Sequence, residues 1–419
     1  MSNYVAKRLR FRDGERFSFL SRPGGLPVHE VVLYLARFRT RGRAANTIHA
    51  VCMSMALLYR ELDKAGIQLL ERLRHGQFLT VPEVNRLADA AQYRLADLSE
   101  DDADSSGQLN VVDIRKIRIR RQIVSSEYIE AVDVATQASR IRYMADFLGF
   151  IADYYGATLS SVQRQELASQ SAHVLKALKA QVPKVSHRAK LGAREGLSQE
   201  EQERLLTVVH PDSPDNPWKQ RFVRSRNWLI VTLLLATGMR RGELLGLQIN
   251  DLIPNQPCLR IMRRADAAED PRLVQANTKT RDRIVEVRPT IMKAIWHYIR
   301  EDRHKIKAAR RFPQIFVADD GQPLSAKSID KIFVQIRQSC PGLPVTLTSH
   351  VMRHTWNERF SEQAEKMGLT DTAEERARNE QQGWTDNSKS GAVYTRRHTS
   401  RKGREIALRL QEGLDESGG

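Results

Sequence analysis

The longest apolar run in the chain, WLIVTLLLA at 228–236, sits inside RNWLIVTLLLATG and is followed at once by MRRGELLGLQINDL. At nine residues it falls far short of the about 20 that a bilayer-spanning helix needs. It is apolar on every face, which marks a helix enclosed by the rest of a domain, and Gly238 is the natural place for it to stop. The C-terminal half must therefore build a core around this helix. A chain of 419 residues exceeds the usual size of a single core, so two or three domains are expected.

Apolar positions recur at helical spacing over 28–98, as in VVLYLARF and IHAVCMSMALLYRELDKAGIQLL, and again in ATQASRIRYMADFLGFIADYYG at 135–156. Between them lie an acidic loop, SEDDADSSGQ at 99–108, and the basic IRKIRIRRQI at 114–123, which could track phosphates or simply be a solvated face. The stretch PKVSHRAKLGAREGLSQEE at 183–201 lacks periodicity and ends in Ser198 and Glu201, a capping-box start for a helix. In the second half CLRIM at 258–262 and RIVEV at 283–287 have strand composition and bracket the polar QANTKTRD. The remainder, including IDKIFVQIR, SHVMRHTWNERF and the tail GREIALRLQEGL, is helical in period. The expected fold is mainly α with a small antiparallel β-sheet in the second domain. Residues 1–185 form a helical N-terminal region with a subdivision near 99–110, residues 186–196 a basic linker, and residues 197–419 a second domain with a helical tail.

Lys and Arg total 67 against 50 acidic residues, a net charge of +17, which points to a polyanionic partner, nucleic acid first. Cys52, Cys258 and Cys340 are odd in number and far apart, as reduced thiols in a cytoplasmic protein would be. The N-terminus, MSNYVAKRLRFRDGERF, has no apolar signal core. A cytosolic, nucleoid-associated protein with no membrane partner is expected.

No glycine-rich loop followed by Lys and Ser/Thr is present, so hydrolysis of ATP at a P-loop is not expected. What remains is a set of cations and hydrogen-bonding groups at structural punctuation: Arg240 after the helix-ending glycine, Lys279 between the strands, and His350 and Arg353 in SHVMRH. Each has an ordinary reading. Arg240 could be a surface cation paired with Glu243, Lys279 a solvated hairpin-tip lysine, and Trp384 a core aromatic. His350 and His354 have the spacing of a zinc pair, yet no third ligand accompanies them.

Together these residues suit one reaction. A tyrosine phenol attacking a phosphodiester builds negative charge on the non-bridging oxygens, which two guanidiniums, Arg240 and Arg353, can hold. The leaving alkoxide needs a proton and the phenol must lose one, with Lys279 and His350 as candidates. The indole N–H of Trp384 supplies one more donor. Ester exchange of this kind conserves the bond energy of the broken strand, so no cofactor is expected.

These motifs resemble those of the tyrosine recombinases, or phage-type integrases. ATGMRRGELLGLQINDL is similar to the family's first arginine box, TKTRDRIVEV to its lysine hairpin, SHVMRHT to its His-x-x-Arg-His box and GWTDNSKSGAVYTRR to its last box. The resemblance implies Arg240, Lys279, His350, Arg353 and Trp384 as catalytic, Glu243 and His354 as supporting, and Tyr394 as nucleophile, with Trp384 where most members have His and Cre recombinase has Trp. It covers 197 to about 400, and its specificity lies in the order and spacing of the boxes. It further implies a two-domain, C-shaped clamp on double-stranded DNA, a homo-tetramer acting on two DNA sites through a Holliday junction, and room for accessory DNA-bending or directionality proteins. A type IB topoisomerase would use the same phosphotyrosine chemistry, and a catalytically idle DNA-binding protein is the other alternative.

Overall fold

The computed structural model describes residues 4–93, 131–184, 195–276, 278–386, 388, 391 and 396–415. The chain divides into two compact units, Met1–Ala189 and Lys190–Gly419.

The first unit opens with an element that the sequence reading did not anticipate. Strands β1 (Val5–Arg10) and β2 (Arg16–Ser21) pair antiparallel, from Val5↔Ser21 to Arg10↔Arg16. The sheet had been expected in the second domain alone. The reason is the inverted polarity of the alternation: Ala6, Arg16, Ser18, Leu20 and Ser21 are the buried positions, while Leu9, Phe17 and Phe19 are only half-buried. Six helices follow among the described residues: α1 (His29–Thr40), α2 (Ala45–Lys64), α3 (Leu69–Arg74), α4 (Val81–Ala90), α5 (Val134–Gly156) and α6 (Ser161–Ala180).

Helix α2 buries Ile48, Val51, Cys52, Met55, Leu58 and Leu62, a one-sided repeat that supplies the centre of this core. Tyr34 of α1 packs its ring against Phe38, Phe147 and Phe150 at centroid distances of 5.3, 5.3 and 5.5 Å. Asp133 caps α5, accepting from the Thr136 N–H at 2.9 Å. Val132 N–H donates to the Gln92 carbonyl at 2.8 Å, which brings the two ends of the intervening stretch together. The acidic loop at 99–108 and the basic segment at 114–123 both fall in that stretch, outside the described residues.

The second unit comprises α7 (Gln199–Val209), α8 (Arg221–Thr237), α9 (Arg241–Gly246), β3 (Cys258–Ile261), β4 (Arg283–Glu286), α10 (Pro289–His297), α11 (Ala326–Ser339), α12 (Ser349–Lys366), α13 (Asp371–Gln382) and the tail helix α14 (Arg396–Asp415). The capping box is present: Ser198 N–H donates to Glu201 Oε2 at 2.7 Å and Glu201 N–H to Ser198 Oγ at 3.2 Å. Helix α8 is the enclosed helix, with Leu229, Ile230, Val231 and Leu234 fully buried. Gly238 ends it at φ +61°, and a Cβ there would lie 2.7 Å from the Trp356 ring, so only glycine fits between α8 and α12. Strands β3 and β4 pair antiparallel, Cys258↔Glu286 to Ile261↔Arg283. The chain is thus mainly helical with small antiparallel sheets. Its three cysteines are buried free thiols, and no described helix is long and apolar enough to cross a membrane.

Candidate active site

Arg240 occupies the position just before α9, where its backbone N–H would otherwise be left without an acceptor. Glu243, three residues on, accepts that N–H at 3.0 Å and also lies 3.4 Å from the Arg240 guanidinium. Glu243 is only 1% exposed and is shared with the strand segment: Thr280 Oγ1 donates to it at 2.7 Å and Arg283 Nη2 at 2.8 Å. Burial pushes its carboxyl up, but the Arg283 charge and the hydrogen bonds from Arg283, Arg240 N–H and Thr280 outweigh that and hold it below the usual carboxylate range. The ordinary reading of Arg240 and Glu243 as a surface pair is overturned for Glu243.

Lys279 is exposed between two buried threonines. Thr278 Oγ1 donates to the Met262 carbonyl at 3.3 Å, and Thr280 is the residue bound to Glu243. The lysine is not at a hairpin tip, as the sequence suggested. The connection between β3 and β4 is long and folded on itself, with Gln275 bridging the Asp266 N–H and the Arg264 carbonyl at 2.7 and 2.8 Å. Lys279 stands at its returning end, just before β4.

In α12, His350 is exposed in the first turn and its ring meets that of His354 edge-on, with centroids 4.9 Å apart. His354 is buried, and no cluster of metal-ligand type occurs among the described residues. Arg353 is 1% exposed and its Nη1 donates to the Gly238 carbonyl at 2.7 Å, which joins this box to the end of α8. Its guanidinium lies over the ring of Trp384 at 5.1 Å, a distance at which a cation and an aromatic face attract.

Trp384 is buried behind Gly383, the αL cap of α13 at φ +63°. Gly383 accepts from the Arg281 N–H at 2.9 Å, and a Cβ on it would stand 3.0 Å from Arg283 Nη1. Arg283 Nε donates to the Gln381 carbonyl at 2.8 Å, and Gln382 Nε2 reaches the Thr237 carbonyl at 3.4 Å. The four motif segments therefore close on one another. A Cβ on Gly391 would sit 3.1 Å from Arg378 and 3.7 Å from the Trp384 ring, so the chain is still at this site three residues before Tyr394. Tyr394 itself lies outside the described residues.

A model of the phage integrase family matches residues 195–402. Residues 195–402 thus form a phage integrase family domain. Among its curated relatives, tyrosine recombinase XerD of Halalkalibacterium halodurans is 26% identical over 131 residues, covering 31% of this chain and 39% of that one. Tyrosine recombinase XerC of Bacillus pumilus is 28% identical over 163 residues, covering 38% and 46%. The chain thus spans less than half the length of these relatives in the matches. Of solved structures, XerH recombinase bound to its palindromic difH substrate after cleavage is similar at 16% identity, covering 80% of this chain and 85% of that one with a TM-score of 0.42. A lambda integrase tetramer on a Holliday junction is similar at 14% identity over 70% and 74%, with a TM-score of 0.33.

Within this integrase-family unit, sequence reasoning missed the residues that fasten the motif segments together: Thr280, Arg283, Arg378, Asn379 and Gln382, all buried. Asn379 Nδ2 holds the loop beyond Trp384, donating to the carbonyls of Asp386 and Ser388 at 3.1 and 3.4 Å. For Arg283 a signal existed. In RIVE the inward phase is Arg283 and Val285, and a cation on the inward face of a strand requires a buried partner.

Proposed function

We propose that this chain is a site-specific DNA recombinase that cuts and rejoins strands through a 3′-phosphotyrosyl intermediate. The observation that carries the reading is the closure of four motif segments on one another, with Glu243 linking the arginine and lysine segments and Arg353 linking the α8 end to Trp384. Arg240 and Arg353 take the two non-bridging oxygens of the scissile phosphate, with the Trp384 N–H as a further donor. The Tyr394 oxygen forms a bond to phosphorus as the bond to the 5′-oxygen breaks. Lys279 gives the leaving oxygen its proton, and His350 receives that of the phenol. Glu243 and His354 support this set. The reverse exchange, by a 5′-hydroxyl of a partner duplex, restores the phosphodiester.

In this reading the protein acts on double-stranded DNA at the nucleoid, and four protomers on two sites pass through a Holliday junction, with accessory DNA-bending proteins where the site demands them. The tail helix α14 leaves Ile406, Leu408 and Leu410 at 60, 60 and 73% exposure, which suits docking on a second copy. A groove of about 1580 Å³ lined by residues such as Leu206, Ala236, Val287, Trp356 and Phe360 is the matching acceptor. That groove is lined by none of the proposed catalytic residues.

One experiment tests both parts. Nicked DNA fragments from the gene's flanking sequence are incubated with wild type, Tyr394→Phe and a chain truncated after Arg397, then resolved on a denaturing gel and assayed for joined sites. A covalent adduct from wild type and the truncated chain but not from Tyr394→Phe, with joining lost on truncation, is the expected result. An adduct that survives Tyr394→Phe overturns the nucleophile, undiminished joining by the truncated chain overturns the docking, and relaxation of supercoiled plasmid without a defined site favours a topoisomerase.

A further inference from the structure

Arg283 is the first residue of β4, and its side chain is 3% exposed. Each of its three nitrogens donates to a different residue. Nη2 meets Glu243 Oε2 at 2.8 Å, Nη1 meets Thr280 Oγ1 at 3.1 Å, and Nε meets the Gln381 carbonyl at 2.8 Å. Glu243 holds the backbone of Arg240, Thr280 adjoins Lys279, and Gln381 lies in the last turn of α13 before Trp384. The clearance is small as well, since a Cβ on Gly383 would stand 3.0 Å from Arg283 Nη1.

We infer that Arg283 is a positioning residue for strand cleavage, setting where Lys279 stands relative to the phosphate-binding arginine and the Trp384 segment. This rests on the recombinase reading and deepens it. The planar guanidinium fits the role because it has donors fixed in three directions at once. A lysine ammonium at the same place would keep the charge for Glu243 but is a compact group without that fork. A merely structural ion pair would need the charge alone, and Arg283→Lys separates the two cases.

The readout is the proton that Lys279 delivers. Cleavage by Tyr394 forms the bond from its oxygen to phosphorus and breaks the bond to the 5′-oxygen, which departs with the electron pair and takes a proton from the lysine. If sulfur replaces that bridging oxygen, the same bond breaks but the thiolate leaves unprotonated, because a thiol pKa is about 8.5. Loss of general-acid action, a factor of roughly 10²–10⁴, then disappears.

The wild-type adduct maps the scissile phosphate, and that phosphate is then made with a bridging 5′-oxygen or 5′-sulfur. Single-turnover cleavage is measured for wild type, Lys279→Ala, Arg283→Lys and the milder Thr280→Val, with DNA retention and thermal melting as controls of folding. Expected is a loss of about 10–100-fold for Arg283→Lys on the oxygen substrate, a fraction of the general-acid factor, restored to within a few-fold of wild type on sulfur, as for Lys279→Ala. Thr280→Val shows the same selective pattern at smaller amplitude. Equal losses on oxygen and sulfur, or no loss on oxygen, overturn the positioning role. If Arg283→Lys does not fold, Thr280→Val decides by the same criterion. Wild type that cuts neither substrate overturns the recombinase reading instead, and is seen before any variant is compared.

Discussion

Among the described residues each unit holds one antiparallel strand pair, and each pair begins its second strand with a buried arginine: Arg16 at 4% exposure in β2, Arg283 at 8% in β4. Locally the two are alike. Arg16 donates from Nη1 to the carbonyl of Gly14, two residues away, at 2.6 Å, whereas Arg283 reaches across 40 residues to Glu243 and 98 to Gln381. The strands that carry them differ in the same sense. Residues 11–15 close the first hairpin as a tight turn, and residues 262–282 form a long connection that carries Lys279 in the second. A buried cation can thus tie its own turn, as Arg16 does at Gly14, and can also bind distant segments into one site, as Arg283 does. Secondary structure does not distinguish the two cases; the partners do.

The largest test of that contrast is removal of each charge. Arg283→Met leaves the Glu243 carboxylate buried without its main partner, and breaking a buried ion pair from one side costs about 3–5 kcal/mol. Arg16→Met removes at least the charged donor to the Gly14 carbonyl, and that bond alone accounts for a loss of roughly 1–3 kcal/mol. Urea unfolding of the full chain, followed by circular dichroism, measures both. Equal costs would remove the distinction between a local tie and a remote one.

A smaller and sharper test uses pH. The folded carboxyl of Glu243 is held below its ordinary value, so the unfolded chain binds the proton more readily. The stabilisation is therefore complete above the ordinary glutamate pKa of about 4.3 and is lost as pH falls through the lower folded value. Glu243→Gln should be less stable than wild type at neutral pH and show a shallower decline on acidification through that window. Parallel acid titrations of stability for the two proteins would contradict the assignment.

The helices were legible because their apolar residues repeat on one face, as in Ile48, Val51, Cys52, Met55 and Leu62 of α2, or on all faces, as in α8. Arg240, Lys279, His350, Arg353 and Trp384 could be singled out because they lie in segments whose order and spacing resemble those of a known family. The first hairpin was not, since its buried face offers Arg16 and Ser18 where an apolar alternation was sought. Nor were Thr280 and Gln382, whose partners are remote in sequence: Glu243 lies 37 residues from Thr280, and the Thr237 carbonyl 145 residues from Gln382. Helical period is a local signal, whereas a buried polar network is defined only once the chain has folded.

The smallest effect is the control that keeps the comparison tied to arginine partners and not to a general difference between the units. Asp133 caps α5 in the first unit, accepting from Thr136 N–H at 2.9 Å, and Ser198 caps α7 in the second, accepting from Glu201 N–H at 3.2 Å. Both caps are local and span three residues, so Asp133→Ala and Ser198→Ala should each cost about 1 kcal/mol. Similar costs for the caps beside unequal costs for the arginines would locate the asymmetry in the reach of Arg283. If Ser198→Ala proved as costly as Arg283→Met, the second unit would be fragile to any lost hydrogen bond, and the contrast between the two hairpins would lose its meaning.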